Sequence, residues 1–227
     1  MNPALEIAMQ PDIASRYTLG EEIAHVVSHG IGALLSVAGL AVLVVFAALN
    51  GNAWDIASCS IYGATLIFLY TASTLYHGIT RPKAKQILRR IDHAAIFLLI
   101  AGTYTPFTLV TLRGGWGWVL FGLVWGLALL GVVLETFVKR RIRWFSITLY
   151  LGLGWLVLIA IKPLLAAVAT GGLILLLAGG LCYSLGVIFY VRRRMAYHHA
   201  VWHLFVMAGS ALHFFSIFFY VVPPATG

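Results

Sequence analysis

The run Ile91–Thr111 reads IDHAAIFLLIAGTYTPFTLVT and is almost entirely apolar. A helix rises about 1.5 Å per residue, so about 20 such residues cross the roughly 30 Å of hydrocarbon in a bilayer. Six further apolar stretches of comparable length lie at 23–48, 55–78, 117–138, 144–161, 170–191 and 198–222. The sequence therefore predicts an all-α integral membrane protein, a bundle of seven transmembrane helices.

The composition leaves little room for a soluble domain. Of the 227 residues, 61% are hydrophobic and only 10% are charged. We predict a cytoplasmic N-terminal segment at 1–22, one transmembrane domain at 23–222 and a short outer tail at 223–227. The first segment lacks the basic, apolar and small-residue layout of a cleaved signal peptide, so we expect the first apolar stretch to remain as a helix.

The net charge of +8 is concentrated in three of the connections between the apolar stretches. These connections carry Arg81, Lys83, Lys85, Arg89, Arg90, Lys139, Arg140, Arg141, Arg143, Arg192, Arg193 and Arg194. The positive-inside rule predicts that they and the N-terminus face the cytoplasm and that the C-terminus is outside. Short basic clusters at helix ends are typical of membrane proteins, so we expect the lipid bilayer as a partner and no nucleic acid.

Polar side chains collect in one layer of the predicted bundle. Asp92 lies at the start of the third stretch, Ser73-x-x-x-His77 ends the second, and His199-x-x-x-His203 begins the seventh. Residues four apart share a helix face. In the predicted topology these side chains lie at similar depth in the cytoplasmic leaflet. Ionisable groups inside a membrane usually mark a functional site.

This layer has the chemistry of a metal centre. Neutral imidazoles are the commonest zinc ligands, and three protein ligands with an open fourth position are typical of catalytic zinc sites. We predict that His77, His199 and His203 bind Zn²⁺. Asp92 is then the candidate general base toward a water molecule, and Ser73 the group that orients this water or an oxyanion.

A second pair of histidines competes for this role. His25-x-x-x-His29 also lies in the cytoplasmic half, beside Glu21 and Glu22, and spacing does not choose between the two pairs.

Other polar residues are expected to have structural roles or to surround the ligands: His93, pointing about 100° away from Asp92; His198, facing a loop; His213, about 15 Å beyond His203; and Glu135, paired with Lys139.

Several motifs together resemble the progestin and adipoQ receptor family. They are Ser73-Thr-Leu-Tyr-His77, the Ile91-Asp92-His-Ala-Ala run ending Gly102-Thr-Tyr-Thr-Pro106, and His199-Ala-Val-Trp-His203 with Gly209 and His213 beyond it. Within that family, the chain resembles the bacterial hemolysin III branch, whose opening motif is similar to Glu21-Glu22…His29-Gly30. The resemblance implies zinc ligation by His77, His199 and His203, with Asp92 and Ser73 beside the metal. It favours this set over His25 and His29, and leaves Glu22, His29 and His213 as candidates for positions around the ligands.

The resemblance also implies a function. The wider superfamily includes membrane-embedded ceramidases, and such a metal site suits hydrolysis of a lipid amide or ester. We therefore expect a zinc-dependent protein of lipid homeostasis in the bacterial inner membrane, acting on a membrane lipid that enters between helices. The alternatives are a non-catalytic sensor or receptor with structural zinc and a hemolysin-type cytolysin. A pore would need a polar stripe, which these apolar stretches lack outside the cytoplasmic layer.

Overall fold

Seven long apolar helical spans make up the computed structural model, which describes residues 17–138, 143–192 and 194–222. The elements are α1 (Leu19–Asn50), α2 (Ala53–Gly78), α3 (Pro82–Pro106) with a π-helical turn (Phe107–Thr111), α4 (Gly115–Phe137), α5 (Arg143–Gly154), a 3₁₀ segment (Leu156–Ala160), α6 (Ile161–Ala167), α7 (Thr170–Val191) and α8 (His198–Tyr220). The fifth span combines α5, the 3₁₀ segment and α6. The chain is thus a multi-pass membrane protein with seven candidate spans, and the predicted fold class is confirmed.

The helices pack around two apolar clusters. The larger one joins α1, α2, α3 and α8 through residues such as Leu43, Tyr62, Leu99 and Val206. The smaller one joins α3, α4 and α5 around Phe97. Large apolar side chains remain exposed along α1, α4 and α7, which suits helices that face lipid. The last helix, α8, packs against both the first helix, α1, and the preceding helix, α7.

The start of α1 is fixed by a capping box. Thr18 Oγ1 accepts a hydrogen bond from the backbone N–H of Glu21 at 3.2 Å, and the Glu21 carboxylate accepts one from the backbone N–H of Thr18 at 2.8 Å. This arrangement satisfies two of the free N–H groups at a helix start. The helix therefore begins at Leu19, four residues before the predicted apolar stretch, and Glu22 lies in its first turn.

The third helix begins much earlier than the predicted stretch at 91–111. Pro82 occupies the first turn of α3, where a missing backbone N–H costs nothing, and the basic residues that follow are good helix formers. Most of the predicted loop at 79–90 is therefore helical, and this part of the prediction is wrong. Asp92 lies about 15 Å along α3 from its start.

The fifth span is interrupted, whereas the sequence predicts one helix at 144–161. The Tyr104 hydroxyl shares its one proton between the carbonyls of Leu153 and Gly154, at 3.1 and 2.8 Å, and accepts the backbone N–H of Val157 at 2.9 Å. These bonds satisfy backbone groups that the break would otherwise leave unpaired. The span continues to Ala167, six residues beyond the predicted end.

Candidate metal centre

Three histidines from two helix ends meet inside the bundle. His77 lies at the end of α2, and His199 and His203 lie on the first turns of α8. One ring nitrogen from each lies within 4.8 Å of the others, and all three side chains are buried. These three residues, the predicted ligands, could therefore hold a metal ion.

The tautomer of His77 is set by a carboxylate. Its Nδ1 lies 2.6 Å from Oε2 of Glu22, an acceptor, so Nδ1 carries the proton. Its Nε2 is buried and has no hydrogen-bond partner among the described residues. Metal-binding histidines usually donate one ring N–H to an acceptor such as a carboxylate and bind the metal through the lone pair of the other ring nitrogen. Glu22 thus occupies a position around the predicted ligands.

The other two histidines also offer a nitrogen. The Ser28 hydroxyl donates its one proton to the His25 carbonyl at 3.0 Å. Its oxygen therefore accepts in the 3.1 Å contact with His203, and Nδ1 of the imidazole is the donor. The lone pair of His203 is then on Nε2. Nδ1 of His199 is buried, with no hydrogen-bond partner in the part of the chain that the structure describes. Buried nitrogens without partners are costly unless a cation binds them, so the site fits a metal.

His25 and His29 lie in the same place as the predicted ligands. The His25 ring is 4.4 Å from His77, 4.9 Å from His199 and 5.2 Å from His203, centroid to centroid. His29 stacks on His203 with centroids 3.5 Å apart. The two pairs that the spacing presents as competitors therefore form one histidine cluster, consisting of His25, His29, His77, His199 and His203.

A lysine that the sequence assigns to a loop is part of this site. Lys85 Nζ lies 2.8 Å from Oε1 of Glu22, and the lysine is only 5% exposed. Its ammonium also lies 5.2 Å from the centre of the Tyr76 ring. Sequence reasoning missed this contact because it placed the start of the third helix after Lys85. The sequence does carry a signal for the earlier helix start, because Pro82 is of a type common at the first position of a helix and Lys85 follows three residues later.

The cluster is covered at the end of the bundle. The Tyr17 ring stacks on His199 at 5.4 Å and meets His25 edge-on at 4.8 Å. Oε1 of Glu21 accepts the backbone N–H of Tyr197 at 3.0 Å, which ties the start of α1 to the start of α8. Tyr197 has a left-handed backbone, φ 55°, at the turn into α8.

A cavity of about 340 Å³ opens beside the cluster. At this end it is lined by Ser73, Asp92, His199 and His203, so the two predicted catalytic residues border the same space as two predicted ligands. His93 also lines it, although the sequence predicts that it points away from Asp92. The roles assigned to Asp92 and Ser73 stay predictions.

The remaining polar residues have structural contacts. His213 lines the cavity further along α8, and its Nε2 donates to the Leu176 carbonyl at 3.1 Å. His198 is buried and donates to the Phe189 carbonyl at 3.0 Å, so the expectation that it faces a loop is wrong. Glu135 accepts the Ser146 hydroxyl at 3.0 Å, whereas its expected partner Lys139 lies outside the described residues.

The fold and the site define a multi-pass membrane protein with a buried histidine cluster able to hold a metal ion. The family model described as Haemolysin-III related matches residues 17–214, and the chain belongs to this family. It is 50% identical to the Hemolysin-3 homolog of Bacillus subtilis (strain 168) over 206 residues, which cover 91% of this chain and 97% of that protein. It is 46% identical to Hemolysin-3 of Bacillus cereus, over 91% of this chain and 94% of that one.

A more distant similarity reaches a human protein. The Monocyte to macrophage differentiation factor of Homo sapiens is 28% identical over 184 residues, which cover 76% of this chain and 74% of that protein. The predicted family resemblance is confirmed by these matches, and in the first two cases it runs along nearly the whole chain.

Proposed function

We propose that this protein is a zinc-dependent hydrolase of membrane lipids that cleaves an amide or ester bond beside the histidine cluster. Its role would be lipid homeostasis in the bacterial plasma membrane. The observation that carries the proposal is the cavity, which starts at the polar cluster and is lined mainly by apolar side chains, with a few polar ones such as Thr108, Ser184 and His213 further along. From Ser73 and Asp92 it continues between α3, the fifth span and α7 to Leu112 and Leu164, near the opposite ends of their spans.

This shape suits a lipid better than a water-soluble substrate. An acyl chain would occupy the apolar length and gain the transfer free energy of burial, roughly 0.8 kcal/mol per CH₂ group relative to water. The carbonyl at the head of the chain would then lie near Asp92, His199 and His203. Binding the chain in the apolar part thus positions the bond to be cleaved at the polar end.

The polar residues supply the steps of hydrolysis. Zinc, when bound, would polarise the substrate carbonyl as a Lewis acid. The Asp92 carboxylate would take a proton from the attacking water as its oxygen adds to the carbonyl carbon. The Ser73 hydroxyl would donate a hydrogen bond to the oxyanion that forms. The proton on Asp92 then passes to the departing amine or alcohol as its bond to carbon breaks, which yields a free fatty acid.

The orientation in the membrane follows from charge in this proposal. Arg81 directly precedes α3, Lys83 and Lys85 lie in its first turn, and Arg192 directly follows α7, so these helix ends lie on the same side as the cluster. The positive-inside rule then puts the cluster in the cytoplasmic leaflet.

The test uses the purified protein in lipid nanodiscs with ceramide and phospholipid as substrates. Asp92→Asn should keep the metal and the fold but lose about 100-fold or more in fatty-acid release, the usual contribution of a general base. Asp55→Asn is the matched control, because Asp55 is also a buried carboxylate but lies at the opposite end of the bundle. Metal content is measured on every sample.

Two results would contradict the proposal. One is metal-loaded wild-type protein that hydrolyses neither class of lipid, which would favour the sensor with a structural ion. The other is hydrolysis that Asp92→Asn leaves unchanged.

A further inference from the structure

A second set of potential ligands lies beside the predicted one. Glu22, His25 and His77 each offer an atom within 4.8 Å of the other two. Oε2 of Glu22 lies 2.6 Å from Nδ1 of His77 and 3.4 Å from Nδ1 of His25. We call this set the outer triad, and His77, His199 and His203 the inner triad. His77 belongs to both.

The two nitrogens of His77 serve different triads. Nδ1 faces Glu22, whereas Nε2, on the opposite side of the ring, is the atom left for an ion held with His199 and His203. His25 resembles His77 in its environment. It is fully buried, its Nδ1 lies near the same carboxylate oxygen, and its Nε2 has no hydrogen-bond partner among the described side chains and backbone.

We propose that the outer triad is a second cation position and that a single ion occupies the outer and inner triads in turn. Two imidazoles and a carboxylate form a ligand set that zinc accepts in proteins. The proposal concerns how the ion is bound and does not depend on lipid hydrolysis.

Shared ligation and charge make the two positions exclusive. A neutral imidazole has one nitrogen lone pair, so His77 binds at Nδ1 or at Nε2 but not at both. Lys85 Nζ lies 2.8 Å from Oε1 of Glu22, and its positive charge opposes a dication in the outer triad. This ammonium offsets the negative charge of Glu22, and an ion in the outer triad also breaks the 2.6 Å hydrogen bond between His77 Nδ1 and Glu22, so an ion there is held more weakly than one among three neutral imidazoles. The outer position therefore suits transient binding.

The position of Glu22 gives the order of occupation. The Glu22 side chain is 17% exposed, whereas every histidine of the two triads is buried, with His25 at 0%, His77 at 2%, His199 at 7% and His203 at 1%. Glu22 also lies in the first turn of α1, at the end of the bundle. An ion arriving from that end meets the outer triad first and passes to the inner one when His77 changes tautomer. The outer triad is thus a loading position.

The test measures Co²⁺ binding to the metal-free, detergent-purified protein by visible absorption. The wild type should bind one ion per chain. The His199→Ala/His203→Ala variant, which lacks most of the inner triad, should still bind one ion but more weakly. Adding His25→Ala should abolish this binding. Adding His29→Ala should not, because His29 is a buried histidine of the same helix but is not part of the outer triad.

A charge change gives an independent readout. Lys85→Gln in the His199→Ala/His203→Ala background should tighten Co²⁺ binding, since it removes the ammonium group beside Glu22. A structural role for Lys85 alone predicts no tightening. Helical content and melting temperature are recorded for each variant to identify those that misfold.

The proposal is overturned if the folded His199→Ala/His203→Ala variant binds no Co²⁺, or if its binding is unaffected by His25→Ala. Should that variant misfold, Co²⁺ uptake by wild type and by His25→Ala is compared by rapid mixing. His25→Ala should then load several-fold more slowly and reach the same final content. Equal loading rates would overturn the proposal.

Discussion

Ser28 on α1 and His203 on α8 are joined by a 3.1 Å contact between Oγ and Nδ1, although they are 175 residues apart in the chain. The serine uses its only proton on the His25 carbonyl, so it can only accept from the imidazole. The side chain of Ser28 in the first helix thereby decides which nitrogen of His203 is free to bind a metal.

Ser28→Ala should weaken metal binding without abolishing it. Loss of a hydrogen-bond partner behind a ligating histidine typically costs about 10- to 100-fold in affinity. Competition with a chromophoric chelator measures the change. Ser36→Ala is the control, because the one partner of its hydroxyl among the described residues is the Gly32 carbonyl of its own helix. Equal affinities for the two variants would contradict the assigned tautomer.

Gly102→Ala should destabilise the fold. A Cβ at this position in α3 would overlap the Thr65 side chain of α2, and forced overpacking costs about 1–3 kcal/mol. Unfolding by detergent titration measures the loss, and Thr65→Ala should restore part of it. Gly126→Ala on α4 should not lower the free energy of unfolding, since a Cβ there meets no described atom within 4 Å and alanine favours a helix by about 0.5–1 kcal/mol over glycine. A neutral Gly102→Ala would mean that α2 and α3 are less closely packed.

Tyr104→Phe should weaken the interrupted fifth span. The change removes the group that bonds Leu153, Gly154 and Val157, and unpaired buried backbone groups cost about 1–3 kcal/mol. The same unfolding titration applies. Thr148→Val removes an exposed hydroxyl that bonds within α5, and its effect should stay within about 0.5 kcal/mol. Similar losses for both variants would show that Tyr104 does not stabilise the break.

Leu164→Trp should shorten the acyl chain that the proposed hydrolase accepts. Leu164 lies on α6 at the end of the cavity furthest from the cluster, so a larger side chain removes space there. The ratio of long-chain to short-chain hydrolysis should fall while metal content stays unchanged. Leu127→Trp, on an exposed face of α4, is the control. An unchanged ratio would indicate that the chain does not occupy this part of the cavity.

Much of this architecture can be predicted from the sequence because membranes impose simple rules. Apolar length predicts all seven spans, and the four-residue spacing of Ser73 with His77 and of His199 with His203 predicts shared faces. Helix order then predicts a common depth. The structure brings His77, His199 and His203 together as these rules require.

The rest depends on contacts that no single helix encodes. The apolar pattern marks where lipid contact begins, so it does not show that α3 already starts at Pro82. The early start of this helix places Lys85 beside Glu22. Residue spacing shows which side chains share a helix face but not which helices are neighbours. It therefore treats His25 as a rival of His77, although the centroids of their rings are 4.4 Å apart. The break after Gly154 is bonded by Tyr104 from another helix, which local sequence does not reveal.

The histidine cluster draws its members from α1, α2 and α8. During synthesis, Glu22, His25 and His77 therefore emerge long before His199 and His203, and all the spans between them must be made first. The inner triad can form only after the last helix has entered the bilayer. In the proposed binding scheme, tight metal binding would mark a chain whose insertion is complete, and a chain truncated before α8 would retain only the outer triad.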